Sequence, residues 1–470
     1  MQAIILKRYN DFKLYNGETT TERIERLLKK HNISYNIYDK FPSFIQSPSM
    51  IIENNIVFDE QTLIENKTKD MTFNLYDLNK TDSYRISTDS YDNIFIAKIN
   101  ENNKDEINKE LRIHDLVNQT IIETDNYYEI LKNNIKPNEY VFIVSSKSMT
   151  QNIVSKISLI TRNYIVFNNY NPNPTYEDIK KGLELFKMSR ANTIIAIGGG
   201  STIDTAKCIK AFTKINNEED IINKNYKYSD TKIIAIPTTS GTGSESTEVA
   251  IMYYNGEKLS VDHPSGLPDI AILDYTLLTS LPDYQKKSVM LDTLCQSIEA
   301  FWSKNRTYLS KQYSKHSIEL ILKNYKGYLE NNPTSLRNIQ LASNLSGKAI
   351  TLAKTCAPHA MCYRMTTKYN IAHGHAVTLT LINHWKLINA RKDPNTYLML
   401  LELANVIGFN NIDQSIIHIS NIIDEMNLQK PNITEEDIGY LVDGVDMKRL
   451  YNHPIELTKD DIKNIYSSII

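Results

Sequence analysis

Thr193-Ile-Ile-Ala-Ile-Gly-Gly-Gly-Ser-Thr-Ile-Asp-Thr-Ala-Lys207 is the stretch whose reading decides the fold. Small and β-branched residues run straight into three glycines, and a helix-forming segment over residues 202–212 follows. An unbroken apolar run of this kind is a strand covered on both faces, the signature of a parallel sheet. The glycines let a backbone approach a diphosphate closely, and the helix start behind them offers amides and positive dipole. The spacing is not GxGxxG, so no Rossmann fingerprint is claimed. The plainer alternative is a tight strand-to-helix turn without a ligand. Ser201, with Asp204 and Lys207 on the next turn, favours a dinucleotide held by Gly198, Gly199, Gly200, Ser201 and Asp204.

The same pattern repeats on either side. Strands are expected at residues 140–144, 165–167 and 233–236, with a helix at 176–188 between the second of these and the glycine strand. Such alternation predicts a parallel α/β sheet. The strand at 233–236 ends in Pro237-Thr-Thr-Ser-Gly-Thr-Gly-Ser-Glu245, a second polar turn at the same carboxyl edge, where ligands of open α/β sheets bind. Thr238, Thr239, Ser240, Thr242 and Ser244 are its candidate cofactor contacts, and Lys258 is counted with them. After residue 275 the strand signals stop. Amphipathic runs follow at 282–303, 310–330, 335–353, 375–390 and 396–407, an all-helical half. Ahead of it all, residues 1–115 form a small α+β extension. It has short strand signals at 3–6, 34–38, 56–58 and 94–99, one helix at 20–31 and a polar linker at 100–110. The expected domains are 1–115, 116–280 and 281–470.

The chemistry concentrates in the helical half. Asp292 and Gln296 lie four residues apart, one helical turn, and so share a face. His359 and His373 stand fourteen apart in Lys354-Thr-Cys-Ala-Pro-His-Ala-Met-Cys-Tyr363 and the following Ala-His-Gly-His-Ala376. Two imidazoles, a carboxylate and an amide oxygen suit a divalent first-row metal. The pairing with Asp292 favours ligands over ordinary core histidines; Gln296 stands open between ligand and simple hydrogen-bonding amide. His263 and His453 read as loop residues without a role, and Cys295 and Cys362 as small core fillers. Trp302 reads as core or as a pocket wall.

Composition narrows the partners. The 470 residues carry a formal net charge of −2, with 41% hydrophobic and 23% charged. This is the profile of a globular chain with no bulk attraction to nucleic acid or an anionic membrane. No apolar run reaches about 18 residues. The four cysteines form no CxxC pair, which fits a reduced, cytoplasmic setting.

Taken together, Gly198 to Lys207, Ile236 to Glu245, Asp292 to Ala300 and His359 through Gly374 resemble the iron-containing (group III) alcohol dehydrogenase family. The resemblance covers residues 120–470. It implies a dinucleotide-binding α/β domain, a helical domain, and a catalytic divalent metal, Fe2+ or Zn2+, held by an Asp and three His. Asp292, His359 and His373 match three of those positions, and Gln296 stands at the fourth. Tyr363 occupies a place where many members carry a proton-relaying His, which leaves proton delivery to Tyr363, His375 or water. Both departures, with Gln296–Ser303, Ser346–Ile350, Lys354–Tyr363 and His373–Val377, are similar to the phosphonoacetaldehyde reductase branch, whose members form 2-hydroxyethylphosphonate.

That resemblance implies a small anionic aldehyde as substrate, its phosphonate held by Lys348, Lys354, Thr355 or Asn305. NAD(P)H is the implied hydride donor. Ser145-Ser146-Lys147 stands where NAD-selective relatives place an Asp, so NADPH is expected to be accepted. A homodimer or larger homo-oligomer is implied as well. The alternatives are a general small-aldehyde, alcohol or sulfoacetaldehyde dehydrogenase, and an inactive nucleotide-binding scaffold. Residues 1–115 are similar to the start of a sugar-phosphate or phosphonate nucleotidyltransferase at Met1–Leu6, Tyr15–Thr19 and Asn55–Glu60. Lys7-Arg-Tyr-Asn-Asp stands in place of the glycine-rich loop, so the extension reads as a degenerate remnant or an unrelated small domain.

Overall fold

The computed structural model describes residues 119–470 except 216 and 228, together with 2–6, 19–30, 34–38, 49–53, 56–58, 83–88, 91–98 and 116 of the N-terminal region. The expected linker at 100–110, the 115/116 boundary and the Lys7–Asp11 segment lie outside the described residues. The chain divides into two compact units: residues 1–119 with 210–230 and 262–265, and the remainder of 120–470.

In the first unit, β1 (Gln2–Leu6) pairs in parallel with both β2 (Ser34–Tyr38) and β3 (Ser49–Glu53). β4 (Ile56–Phe58), β5 (Ser83–Thr88) and β6 (Tyr91–Lys98) form an antiparallel sheet with β6 in the middle. Helix α1 (Thr20–Lys30) buries Ile24, Leu27 and Leu28, an i, i+3, i+4 stripe.

The second unit opens with a six-stranded sheet. Its members are β7 (Thr120–Thr124), β8 (Val141–Ser145), β9 (Tyr164–Phe167), β10 (Thr193–Gly198), β11 (Lys232–Pro237) and β14 (Ile270–Asp274). They run in the order β7-β14-β11-β10-β8-β9, every pairing parallel. The four strands expected from apolar runs are all present. β7 and β14 are additions, as is the hairpin β12 (Val249–Tyr254) with β13 (Glu257–Asp262), turned at Asn255-Gly256. Ile194, Ile195, Ile197, Ile233, Ile234 and Ile236 are fully buried, each contributing roughly 1.5–3 kcal/mol of apolar burial. Helices α2 (Tyr127–Asn134), α3 (Thr150–Ile157), α4 (Tyr176–Ser189) and α5 (Gly200–Phe212) link the strands. Thr175 and Asp178 close a capping box at the start of α4.

The helical half begins with α6 (Asp283–Trp302) and α7 (Tyr308–Leu329), followed by α8 (Pro333–Ala353), α9 (Ala357–Tyr369), α10 (His373–Ala390), α11 (Pro394–Ile407), α12 (Ile412–Glu425), α13 (Glu435–Asp443) and α14 (Lys459–Ser467). Pro333, Pro358 and Pro394 stand in the first turn of their helices, where the missing N–H costs nothing. Trp302 and Trp385 meet edge to face at 5.7 Å in the core, so Trp302 is a core residue. No described helix is long and apolar enough to cross a membrane.

The sheet meets the helices at one unusually close point. A Cβ on Gly243, whose φ is +58°, would lie 2.6 Å from the Cα of Gly347 on α8. Only two glycines permit backbones this near.

Candidate metal and cofactor site

Residues Gly198 and Pro237 are register partners, so the two polar turns leave adjacent strands side by side. The Thr238 amide donates to the Gly198 carbonyl at 2.9 Å. A Cβ on Gly200 would meet the Thr242 side chain at 2.8 Å. Helix α5 starts at Gly200, two residues earlier than expected, so its free amides point from the glycines themselves. Gly199, Gly200, Ser201, Thr238, Thr239 and Thr242 all keep solvent access, whereas Ser240 and Ser244 are buried. Ser201 donates to the Pro172 carbonyl.

Asp204 and Ser244 are spent on each other. The Ser244 hydroxyl donates to Asp204 at 2.5 Å, and the Ile251 amide donates to the same carboxylate at 3.0 Å. The buried Lys207 ammonium donates to Ser244, Thr247 and the Val249 carbonyl. This network braces the second turn from behind. Asp204 and Ser244 were expected at the cofactor, but their polar atoms are committed to this bracing.

The metal candidates converge from three helices. Asp292 lies mid-way along α6, His359 in the first turn of α9, and His373 at the start of α10. Their ligand atoms all lie within 4.8 Å of one another. Asp292 Oδ1 stands 3.3 Å from His359 Nε2 and 3.9 Å from His373 Nε2. Donors on one ion bound at about 2.1 Å stand on the order of 3.4 Å apart. Asp292 Oδ1 and His359 Nε2 are also buried with no hydrogen-bond partner. Orphaned buried polar atoms are costly, and a divalent cation would satisfy both. The residues therefore fit a metal. His373 is 37% exposed while the other two are buried, so the cluster opens on the His373 side.

Close packing sets this geometry. A Cβ on Gly374 would fall 2.1 Å from the Ser288 carbonyl and 2.7 Å from Asp292 Cβ. The glycine after His373 thus lets α10 sit directly on α6. Behind His359 stands Glu299, fully buried, which accepts from Nδ1 at 2.5 Å and from the Cys356 amide at 2.6 Å. A carboxylate on the far nitrogen fixes which nitrogen faces the metal. Glu299 lay inside the Asp292–Ala300 motif, but its role was missed. Burial alone would push His359 down, but Glu299 and Asp292 outweigh it and raise its pKa to about 10 in the metal-free protein. Burial pushes His373 down to about 4, against the pull of Asp292.

Gln296 stood open between ligand and hydrogen-bonding amide. Its amide nitrogen donates to Asp292 Oδ2 at 3.3 Å, and its oxygen accepts from Ser346 at 3.1 Å. Here the amide braces Asp292, and its oxygen is engaged by Ser346.

Tyr363 lies parallel to the His373 ring, centroids 6.3 Å apart. Lys258, on β13, places its ammonium 3.6 Å from the Tyr363 ring centre, and so lies one ring away from His373. His375 is buried, and its Nδ1 lies 3.2 Å from the hydroxyl of the partly exposed Tyr284. The residues expected on a phosphonate scatter. Asn305 donates to the Tyr451 hydroxyl. Lys348 is buried near Tyr313, about 200° around α8 from Ser346. Lys354 and Thr355 form the turn after α8, with Asn452 donating to the Thr355 carbonyl. His453 lies in a loop, as expected, but is buried there, its ring edge to face with His384 at 5.0 Å.

The family model for iron-containing alcohol dehydrogenase matches residues 118–275, and the model for the C-terminal domain of the Fe-containing alcohol dehydrogenase family matches 287–470. The chain is 28% identical over 290 residues to the aldehyde-alcohol dehydrogenase of Streptococcus pneumoniae, covering 57% of this chain but only 32% of that protein. It is 32% identical over 205 residues to the phosphonoacetaldehyde reductase of Streptomyces viridochromogenes, covering 41% of this chain and 52% of that one. It thus spans between a third and about half the length of these two relatives. Among solved structures, the sulfoacetaldehyde reductase of Bifidobacterium kashiwanohense in complex with NAD+ superposes with a TM-score of 0.66 at 26% identity, over 75% of this chain and 96% of that one.

Proposed function

Because the chain belongs to the iron-containing alcohol dehydrogenase family, we propose that it reduces a small anionic aldehyde, phosphonoacetaldehyde, to 2-hydroxyethylphosphonate with NAD(P)H. The observation that carries the anionic substrate is the positive charge beside the triad. Lys258 forms no ion pair among the described residues, yet its field reaches both Asp292 and His373. An unmatched cation at a half-closed cleft is suited to a substrate that brings its own negative charge. The likeness to two reductases named for acid-bearing aldehydes supports the same reading.

The chain's residues divide the work. Gly199, Gly200 and the α5 start hold the cofactor diphosphate, with Thr238, Thr239 and Thr242 along its flank. Asp292, His359 and His373 would hold the metal, which when bound supplies Lewis-acid polarisation of the aldehyde oxygen. A reduced nicotinamide held by these residues would supply hydride for the carbonyl carbon, leaving the protein to supply one proton for the aldehyde oxygen. His375, two residues after His373 and hydrogen-bonded to the exposed Tyr284 hydroxyl, is the residue we assign to proton exchange with the surface, and Tyr363 flanks His373 on its exposed side. Lys147 beside the β8 end leaves a 2′-phosphate unopposed.

The test compares NADPH and NADH oxidation with phosphonoacetaldehyde and with propionaldehyde, on iron- and zinc-loaded protein. Strong turnover confined to the phosphonate is expected. Equal or better rates with propionaldehyde would move the assignment to a general dehydrogenase, and no turnover with either to a scaffold.

A further inference from the structure

We propose that Arg449 is the specificity-determining residue that grips the acid group of the substrate, with Tyr363 and Lys258 completing the clamp; this deepens, and rests on, the reading above.

Arg449 lies in the short helical turn Met447–Asn452, 86 residues from Tyr363 in sequence. Its Nη1 donates to the Tyr363 hydroxyl at 3.2 Å, and its guanidinium carbon stands 5.6 Å from the ring centre. Tyr363 in turn lies parallel to His373, the one triad member open to solvent. The guanidinium is therefore one ring removed from the open side of the metal cluster.

The charge on this spot is poorly compensated. Among the described residues Arg449 has one ion pair, to Asp446 at 3.8 Å, three residues earlier in the chain. Asp446 is 57% exposed, so that pair is weak. Of the guanidinium's five N–H donors, one reaches Tyr363, leaving a planar fork suited to two oxygens of one anion. Lys258 adds a second cation against the same ring.

The turn is also held firmly. The buried Asn452 donates to the Ala353 and Thr355 carbonyls and accepts from Ser303 and the Asn305 amide. The α8–α9 turn that leads into His359 is thus tied directly to the element carrying Arg449. Asn305 joins the same network through Asn452 but carries no charge, and Lys348 packs near Tyr313, so the anion-binding role passes to Arg449.

The experiment measures kcat/KM for phosphonoacetaldehyde and propionaldehyde in wild type, Arg449→Met, Arg449→Lys and Tyr363→Phe. It adds inhibition by the unreactive analogue phosphonoacetate, and metal content as a check on folding. In Arg449→Met the ratio of the two kcat/KM values is expected to fall about 100-fold, chiefly through KM for the phosphonate. Arg449→Lys should recover part of the ratio, because it keeps charge and loses the fork. Phosphonoacetate inhibition should weaken in parallel, and Tyr363→Phe should lie between. A wild-type preference for the phosphonate that survives in Arg449→Met overturns this inference and leaves the proposed function standing. A wild type with no preference overturns both.

Discussion

Replacing Gly374 by Ala tests how the metal cluster is built. The new Cβ would lie 2.1 Å from the Ser288 carbonyl and 2.7 Å from Asp292 Cβ. Neither obstacle is the tip of a flexible side chain; one is helix backbone and the other the root of a proposed ligand. To restore a contact of about 3 Å, the start of α10 must back away from α6 by about 1 Å, since packed interiors have no slack to absorb it. His373 is the residue immediately before the lever, and its Nε2 already stands 3.9 Å from Asp292 Oδ1. Overpacking costs about 1–3 kcal/mol of stability, and a displacement of about 1 Å at a reacting centre costs on the order of 100-fold in rate. The expected variant folds, melts several degrees lower, loses metal faster to a chelator and turns over roughly 100-fold more slowly. Gly439 in α13 has nothing within 4 Å of its would-be Cβ and an ordinary φ. Gly439→Ala is thus the control, with a gain of about 0.5–1 kcal/mol expected. A Gly374→Ala protein with wild-type metal retention and rate would refute the claim that this helix contact positions His373.

Glu299→Gln should speed chelator-driven metal loss by about 10–100-fold, the usual cost of losing an outer partner of a ligand. A glutamine has one acceptor oxygen for two donors, His359 Nδ1 and the Cys356 amide, and unchanged metal-loss kinetics would contradict the bracing role. The same pair sets a pH signature in the metal-free protein. The pKa of His359 is raised from 6.5 to about 10, so its stabilisation is complete below the unfolded value and fades as pH climbs toward 10. The gap in melting temperature between metal-free wild type and Glu299→Gln should therefore narrow from pH 7 to 10. A gap that widens would show the sign to be wrong.

Much of the α/β part was legible because central parallel strands are continuous apolar runs, and Thr193–Gly198 and Lys232–Pro237 announce themselves this way. β7, Thr-Ile-Ile-Glu-Thr, is half-exposed and mixed in polarity and carries less signal, whereas Ile270-Ala-Ile-Leu273 of β14 is an apolar run that went unread. The hairpin that carries Lys258 had a clear marker, Asn255-Gly256 between two strand-forming runs, the strongest short-range hairpin signal; it went unread. In the helical half, Asp292, His359 and His373 were found from residue type and spacing. What spacing could not tell is which way a side chain faces once helices pack. Gln296 could be read as a ligand or as a simple amide, and it braces a proposed ligand; Lys348 was one of four candidates for the substrate and lies far around its helix from Ser346. Arg449 had no local signal, since its neighbourhood is assembled from chain segments far apart in sequence.

The meeting of Gly243 with Gly347 has a consequence for how such a chain can evolve. At Gly243 and Gly347 the turn that leads from the cofactor edge and α8 approach through main chain, and Asn344 ties the same two elements by donating to Glu245 and Ser246. Side chains away from these contacts can be exchanged without altering that spacing. If hydride transfer depends on the gap between nicotinamide and aldehyde, the gap is set by two residues with nothing to mutate except away from glycine. Substrate preference is then free to drift through positions such as 449 while the distance the reaction needs stays inherited.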